Sequence, residues 1–410
     1  IYPLRADADA GMTASKNEHN IEIGQTQATK PSPATLSIRT LKLTDFRNYA
    51  AARLDLDARP VVLVGENGAG KTNLLEAVSL LGPGHGLRGR PYVELARKDG
   101  TSGFAIAATV RTRHGELDIG TGYSAGTGQE GTGRTVRIGG KDRSAGALGE
   151  HVKHVFLIPA MDGLFTGGGA DRRRFLDRLV VAIAPGIRTS LNRYDRAMRQ
   201  RNRLFQMREY ENGLFEGLEE QMAETGVAIA AARLDAVELL SALIEDRLAA
   251  QGETPFPHAV LSLHGTVEAD LTERSATEAE DAFRILLEEG RDQDRAACRT
   301  LEGPHRSDLL VVHGPKNAPA AVCSSGEQKA LLLGLVLAKA ELIKTMEEVA
   351  PLVLLDEVAA HLDGTRRGAL FNEILRLGVQ AWMTGTDREL FSPLAQDAQI
   401  LDVNRGIINL

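Results

Sequence analysis

Residues Gly65 to Thr72 read GENGAGKT, a glycine-studded loop closing on Lys-Thr. The apolar run PVVLVG precedes it and the amphipathic run NLLEAV follows. This is G-x-x-x-x-G-K-[ST] spacing between a strand and a helix, the context that gives the pattern its meaning. Glycines let successive backbone N–H groups turn inward around phosphates, and the opening helix adds its positive end. Gly65, Glu66, Asn67, Gly68, Ala69 and Gly70 are expected to cradle ATP, with Lys71 reaching the β/γ oxygens and Thr72 ligating Mg²⁺.

A second constellation is PLVLLDE (Pro351–Glu357). Its apolar residues predict a buried parallel strand, and two carboxylates follow at the C-terminal end, where α/β sheets bind ligands. Asp356 is placed to hold Mg²⁺ through water and Glu357 to polarise an attacking water. With Lys71 they form the expected catalytic set. Nearly the whole chain separates this pair from the phosphate loop. The nucleotide site must therefore be assembled from both ends of the sequence, with something large inserted between. A third constellation, CSSGEQK (Cys323–Lys329), precedes a long apolar helix. Ser324, Ser325 and Gly326 would expose a hydroxyl and N–H groups at its start, a second anion site. The same residues also read as a plain N-cap, with Glu327 closing a capping box on Ser324.

The elements that must position these groups follow from periodicity. Ile38, Leu41 and Leu43 alternate loosely, as on a half-buried strand. Phe104, Ile106, Ala108 and Val110, then Leu117 and Ile119, then Val136 and Ile138 alternate as an antiparallel meander, with SAGTGQEGTG as a mobile hairpin tip. From Asp171 to about Gly252 the pattern is helical. Leu218, Met222, Thr225, Ile229, Ala232, Ala236, Leu239 and Leu243 follow four-three spacing, a short coiled-coil-like seam. About 35 residues reach only about 50 Å, which excludes a long projecting arm. KALLLGLVLAKAELI predicts a helix; AWMTG and QILDV predict further strands. The domains expected are a disordered tail over 1–36, the N-terminal part of a nucleotide-binding head over 37–170, an arginine-rich helical insertion over 171–300, and the C-terminal part of the head over 301–410.

Bulk composition narrows the class. The 410 residues are 43% hydrophobic and 25% charged, as in soluble globular proteins. Cys298 and Cys323 lack metal-ligand spacing, which points to a reducing, cytoplasmic compartment and no disulfide framework. No run approaches the roughly 20 apolar residues of a membrane span. Net charge is −7, so a polyanion would have to meet a local basic patch. One exists: residues 171–209 hold eleven arginines against four acids. Arg196, Arg199 and Arg203 share a helical face at i, i+3, i+7, with Arg193 beside them. These four are the expected DNA contacts, unless the helix is merely solvated and paired with acidic neighbours such as FEGLEEQMAE. Aromatics are only 4%, too few for a base-stacking platform, so sequence-independent binding of duplex or of a duplex–single-strand junction is expected.

The phosphate loop, the S-x-G-E signature, the strand ending in Asp-Glu and AAHLD (Ala359–Asp363), in this order, resemble the ABC-type ATPase heads of the SMC class. Within that class the chain is most similar to the RecF family of bacterial recombination-repair proteins. The blocks LKLTDFRNY (Leu41–Tyr49), GHGLRGR (Gly84–Arg90), GGGADRRRFLDRLV (Gly167–Val180), LNRYDRAMRQRN (Leu191–Asn202), GPHRSDL (Gly303–Leu309), SSGEQKALL and LLDEVAAHLD carry the match. The resemblance implies an α/β ABC-type P-loop head, a mixed sheet with flanking helices and an antiparallel β subdomain, carrying the helical insertion. It makes Ser324 and Gly326 contacts to the γ-phosphate of a second copy, Asp363 a residue of the dimer seam, and Arg47 and Asn48 neighbours of the nucleotide. It implies a weakly hydrolysing, ATP-dependent homodimer that works with RecO and RecR in loading RecA during repair and the SOS response. Thr386, in MTGTD, stands where transporter-type ATPases place a switch histidine. Competing readings are the nucleotide-binding subunit of a membrane transporter and another SMC-type structural ATPase; the short arm and the arginine-rich insertion disfavour them.

Overall fold

The computed structural model describes residues 34–100, 102–124, 133–207, 211–252 and 254–409. The tail up to residue 33, residues 125–132 of the expected hairpin tip, and Arg208 and Glu209 of the arginine-rich run lie outside the described residues. Residues 34–36, inside the expected 1–36 tail, are already part of the fold. Ala34–Thr35 pairs in parallel with Val349–Ala350, and the Leu36 N–H donates to Ala350 O at 3.1 Å.

Strands β1 (Ser37–Phe46) and β2 (Tyr49–Asp55) form a hairpin. The chain then enters the core as β3 (Val61–Val64) and α1 (Lys71–Ser79). Three strands, β4 (Gly103–Thr112), β5 (Gly115–Ser124) and β6 (Arg134–Ile138), return to the hairpin. They give an antiparallel sheet ordered β2-β1-β4-β5-β6, with Lys141–Asp142 at its edge. The register of β1 on β4 shifts between Ile38 and Thr40. That bulge keeps both Ile38 and Leu41 on the buried face despite their odd spacing.

The central sheet draws on both ends of the chain. Strand β7 (His154–Leu157) is followed by α2 (Gly169–Ile183), α3 (Ile187–Gln206) and α4 (Asn212–Gln251). Then come β8 (Ala259–His264), α5 (Thr266–Glu273), α6 (Ala276–Glu289), α7 (Arg291–Ala297) and β9 (Asp308–His313), with β8 and β9 antiparallel to each other. The chain closes with α8 (Ser325–Glu347), β10 (Leu352–Leu355), α9 (Gly364–Leu377), β11 (Ala381–Gly385), β12 (Gln399–Asn404) and β13 (Ile407–Asn409). The strand order is β13-β12-β3-β11-β10-β7, parallel except for β13. Val62, Val64, Val353 and Leu355 face α2, α8 and α9, whereas Val61, Leu63, Leu352, Leu354 and Trp382 face α1 and the antiparallel sheet. A strand covered on both faces has no polar side, which is why β3 and β10 read as unbroken apolar runs.

Helix α4 is 40 residues long, and its two halves have different partners. Met222, Ala223, Val227 and Ala230 pack with α3, α5 and α6, while Ala236, Val237, Leu240 and Ile244 join the core under the central sheet. The four-three seam therefore slips near its C-terminal end: Leu239 is exposed and Leu243 only partly buried, while Val237, Leu240 and Ile244 are buried. A seven-residue repeat drifts about 20° per heptad on a straight helix, so without a supercoiled partner the buried stripe rotates away from it. Helix α2, all but its first two residues, and this second half of α4 lie inside the expected 171–300 insertion yet share the head's core, and the insertion's separate cluster is built from α3, the first half of α4, α5 and α6.

Candidate nucleotide site

The loop between β3 and α1 is held in place from outside. Gly70, at φ 118°, precedes the first residue of α1, and a Cβ there would lie 2.5 Å from Asn48 Nδ2 and 2.7 Å from the Tyr49 hydroxyl. Those two side chains instead donate to the loop carbonyls, Asn48 Nδ2 to Ala69 O at 3.1 Å and the Tyr49 hydroxyl to Gly70 O at 3.0 Å. On the other side, Gly65 lies so close to β12 that a Cβ would sit 2.1 Å from Val403 O. Glu66, Asn67 and Gly68 form the exposed tip, while Ala69, Gly70 and Lys71 are buried. Lys71 Nζ donates to Gly65 O at 2.6 Å and Glu66 O at 2.8 Å, curling over the loop where phosphates would be cradled. Burial lowers its pKa from the ordinary amine range, opposed by the charges of Glu357 and Asp356.

The second half of the site stands at the C-terminal ends of β10 and β11. Asp356 is buried, and its Oδ1 accepts from the Thr72 hydroxyl at 2.9 Å and from the Thr384 hydroxyl at 2.9 Å. The Thr384 hydroxyl in turn accepts from the Glu357 N–H at 2.8 Å. Glu357 has φ 56°, a left-handed conformation that costs a non-glycine residue about 1–3 kcal/mol and persists only where the surroundings hold it. The structure thus brings Lys71, Thr72, Asp356 and Glu357 together. A hydroxyl and a carboxylate in contact are a hard-oxygen pair suited to Mg²⁺, which takes one or two protein oxygens and completes its shell with phosphate and water. Among the described residues no cluster of three or more His, Cys, Asp or Glu forms a metal cage.

The signature segment faces outward. Ser324, Ser325 and Gly326 are exposed at the start of α8, and nothing lies within 4 Å of where a Gly326 Cβ would be. Glu327 pairs with Lys316 at 2.5 Å and accepts from the Ser324 N–H at 3.0 Å; the Lys316 ammonium first, then the Ser324 hydroxyl and N–H, hold its carboxyl down at about 2. The capping box is therefore present, and it leaves the serine presented rather than buried. Asp363 is exposed and caps α9, accepting from the Arg366 N–H at 2.8 Å. No hydrogen bond or ion pair among the described residues joins the segment 323–329 to the phosphate loop.

The model of the RecF/RecN/SMC N terminal domain family matches residues 37–409. The chain belongs to that family. It is 55% identical over 377 residues to the DNA replication and repair protein RecF of Mesorhizobium japonicum, covering 92% of this chain and 98% of that protein. A solved structure of the recombination mediator protein RecF with ATP, in the RecFOR pathway, superposes with a TM-score of 0.79 at 23% identity, covering 93% of this chain and 99% of that one. The Smc head domain of Pyrococcus furiosus, solved with an extended coiled coil and the C-terminal domain of ScpA, gives a TM-score of 0.51 at 15% identity, covering 92% and 96%. These two structures show the fold alone. They bear out the SMC-type head expected from the motifs, and the family match bears out the RecF resemblance.

Other expected residues of this RecF-family chain lie as follows. Arg47, at φ 54°, pairs with buried Glu76 of α1 at 2.9 Å and donates to Glu94 O at 3.0 Å; Asn48 and Tyr49 are the members of that motif touching the loop. Thr386 is exposed in the turn after β11. On α3, Arg193, Arg196, Arg199 and Arg203 are all exposed. Arg193 pairs with Glu224 at 3.1 Å and Arg199 with Asp195 at 2.7 Å, while Arg196 and Arg203 have no ion pair among the described residues. The count of eleven arginines overstates the basic surface. Arg201 is fully buried and bound to Glu219 and Asp294; Arg172 pairs with Asp308 at 2.7 Å, and Arg173 donates to Ser307 O at 2.6 Å. Sequence reasoning missed Thr384 entirely. The available signal was one hydroxyl in the otherwise apolar run AWMTG, where Thr384 is 1% exposed.

Proposed function

We propose that this chain is an ATP-binding and weakly hydrolysing DNA repair protein that closes as a homodimer on gapped or junction DNA. The observation that carries the reading is the open signature segment. One chain supplies Lys71, Thr72, Asp356 and Glu357 to a phosphate site, yet its exposed Ser324–Gly326 edge and Asp363 have no role in that same pocket. A second copy would bring them. The name and function of the Mesorhizobium relative, 55% identical over nearly its whole length, support the assignment to DNA replication and repair.

In this reading the loop N–H groups and Lys71 bind the β/γ phosphates, and Thr72 and Asp356 hold Mg²⁺, which neutralises phosphate charge when bound. Glu357 orients and polarises the attacking water. Arg47 lies behind the loop as part of the nucleotide-binding set. Across the seam Ser324 and Gly326 meet the γ-phosphate, with Asp363 beside them. The exposed Arg193, Arg196, Arg199 and Arg203 contact DNA phosphates without reading sequence. RecO and RecR are the proposed partners in loading RecA, in the cytoplasm. A transporter subunit is the poorer reading, because nothing in that role uses the arginine face of α3.

Molar mass by light scattering tests the proposal, using Glu357→Gln with and without Mg-ATP and with a gapped duplex in half the samples. The expected result is a monomer without nucleotide and a stable dimer with it. A variant that stays monomeric at saturating Mg-ATP, with or without DNA, sinks the reading.

A further inference from the structure

We infer that Thr384 is a positioning residue for Glu357, acting through the Glu357 backbone; the inference rests on the ATPase reading above. Strand β11 lies between β3, which leads into the phosphate loop, and β10, which leads into Asp356 and Glu357. The parallel register pairs Leu355 with Met383 and Leu63 with Thr384, so the Thr384 side chain emerges where the two halves of the site meet. Its hydroxyl has one proton to give and two lone pairs. It gives the proton to Asp356 Oδ1 and accepts the Glu357 N–H, and at 1% exposure water has no access to replace either bond.

Two consequences follow from that arrangement. Asp356 Oδ1 is occupied by the Thr72 and Thr384 hydroxyls, while Oδ2 has no hydrogen-bond partner among the described residues. The carboxylate is thereby fixed in rotation with one oxygen left for the nucleotide's ion or its water. The Glu357 carboxylate has no hydrogen bond or ion pair among the described residues. Its direction is set by its backbone, and that backbone is held in a left-handed conformation at φ 56° by a neighbourhood in which the N–H bond to Thr384 is the direct tie. Removing the hydroxyl leaves Glu357 in the protein but free to relax from the attitude in which it faces the attacking water. The expected signature is a loss in turnover with nucleotide binding kept.

The full-length chain tests this as wild type, Thr384→Val, Thr384→Ala and Thr384→Ser. Two quantities are read for each: ATP turnover as a function of ATP concentration, and equilibrium binding of a fluorescent ATP analogue in magnesium. Thr384→Val should lower turnover at saturating ATP by about 10–100-fold, the usual cost of losing a supporting partner behind a site, with much smaller change in analogue affinity. Thr384→Ser, which keeps the hydroxyl, should recover most of the rate. Thr384→Ala gives the same reading if the valine variant does not fold. Three results overturn the inference: wild-type turnover in the valine or alanine variant, analogue affinity falling as far as turnover, or a serine variant as slow as valine. Wild-type protein that binds the analogue but never hydrolyses ATP removes the ATPase reading itself, a result distinct from a hydrolysing wild type matched by its valine variant.

Discussion

The Thr72 hydroxyl donates to Asp356 Oδ1 at 2.9 Å, although 284 residues separate the two in sequence. The bond crosses β11, since β3 and β10 are not neighbours in the sheet. It ties the first turn of α1 to the end of β10 and holds together the two side chains proposed to ligate Mg²⁺. Less side-chain ordering then remains to be done when a nucleotide enters, the general advantage of a preorganised site.

Lys71 is the cation of the loop. Its Nζ already lies over the loop, bound to two carbonyls that a phosphate would replace as partner. Lys71→Ala should therefore weaken ATP binding by about 10–100-fold, from hydrogen bonds to a charged group worth about 1.5–3 kcal/mol each. Titration with a fluorescent ATP analogue checks it. Unchanged affinity would remove Lys71 from the site.

How much of this was legible in the sequence depends on how local each signal is. The phosphate loop was readable because strand, glycines, Lys71 and Thr72 are contiguous. The doubly covered strands β3 and β10 announced themselves as apolar runs. Thr384 was readable only as a lone hydroxyl in AWMTG, because its place arises from the strand register that sets Met383 beside Leu355, and no spacing in the sequence encodes that register. Arg201 was readable as a core residue but was counted only in the basic excess. Tyr194, Ala197, Arg201 and Phe205 fall at i, i+3, i+7 and i+11 and are all buried, so periodicity put Arg201 on the core face while its charge suggested surface. The seam on α4 misled for the opposite reason, since a heptad pattern says nothing about where the helix changes partners.

The arginines of α3 yield a contrast. Arg196→Glu with Arg203→Glu should reduce duplex binding and flatten its salt dependence, because each lost phosphate contact lowers the slope by about one. Stability should change by no more than about 0.5 kcal/mol, as both side chains are exposed. Arg201→Ala should do the reverse. It leaves buried Asp294 without its cation and Glu219 with Arg291 alone, at about 3–5 kcal/mol, and acts on folding rather than on DNA. Urea denaturation and fluorescence anisotropy on a labelled gapped duplex separate the two effects. Equal loss of DNA binding in both variants, with equal loss of stability, would show that α3 is structural along its whole circumference.

Ser324→Arg isolates the seam. Ser324 is exposed and outside the chain's own phosphate loop, so a bulky cation there should leave analogue binding within about threefold, under 1 kcal/mol. The same change should prevent the nucleotide-dependent dimer. Light scattering on the double variant Ser324→Arg, Glu357→Gln in saturating Mg-ATP reads this directly. A dimer of normal stability would take the signature segment out of the interface.

His154 supplies a pH dependence unrelated to nucleotide. The residue keeps some accessible surface at the edge of the central sheet, but its Nδ1 is sealed off with no hydrogen-bond partner among the described residues, and its ring stacks on Phe156. Burial, followed by the charges of Arg178, Lys339, Arg134 and Arg188, lowers its pKa from 6.5 to about 4. The unfolded chain therefore binds a proton that the folded chain refuses between about pH 6.5 and pH 4. Stability is full above the unfolded value and declines as pH falls through that window, by up to about 3 kcal/mol for this one group. Urea midpoints at pH 7.5 and pH 5 should differ in the wild type in that direction, and His154→Gln should shrink the difference. If the glutamine variant keeps the whole wild-type slope, other groups carry the acid sensitivity and His154 does not resist protonation in the folded chain.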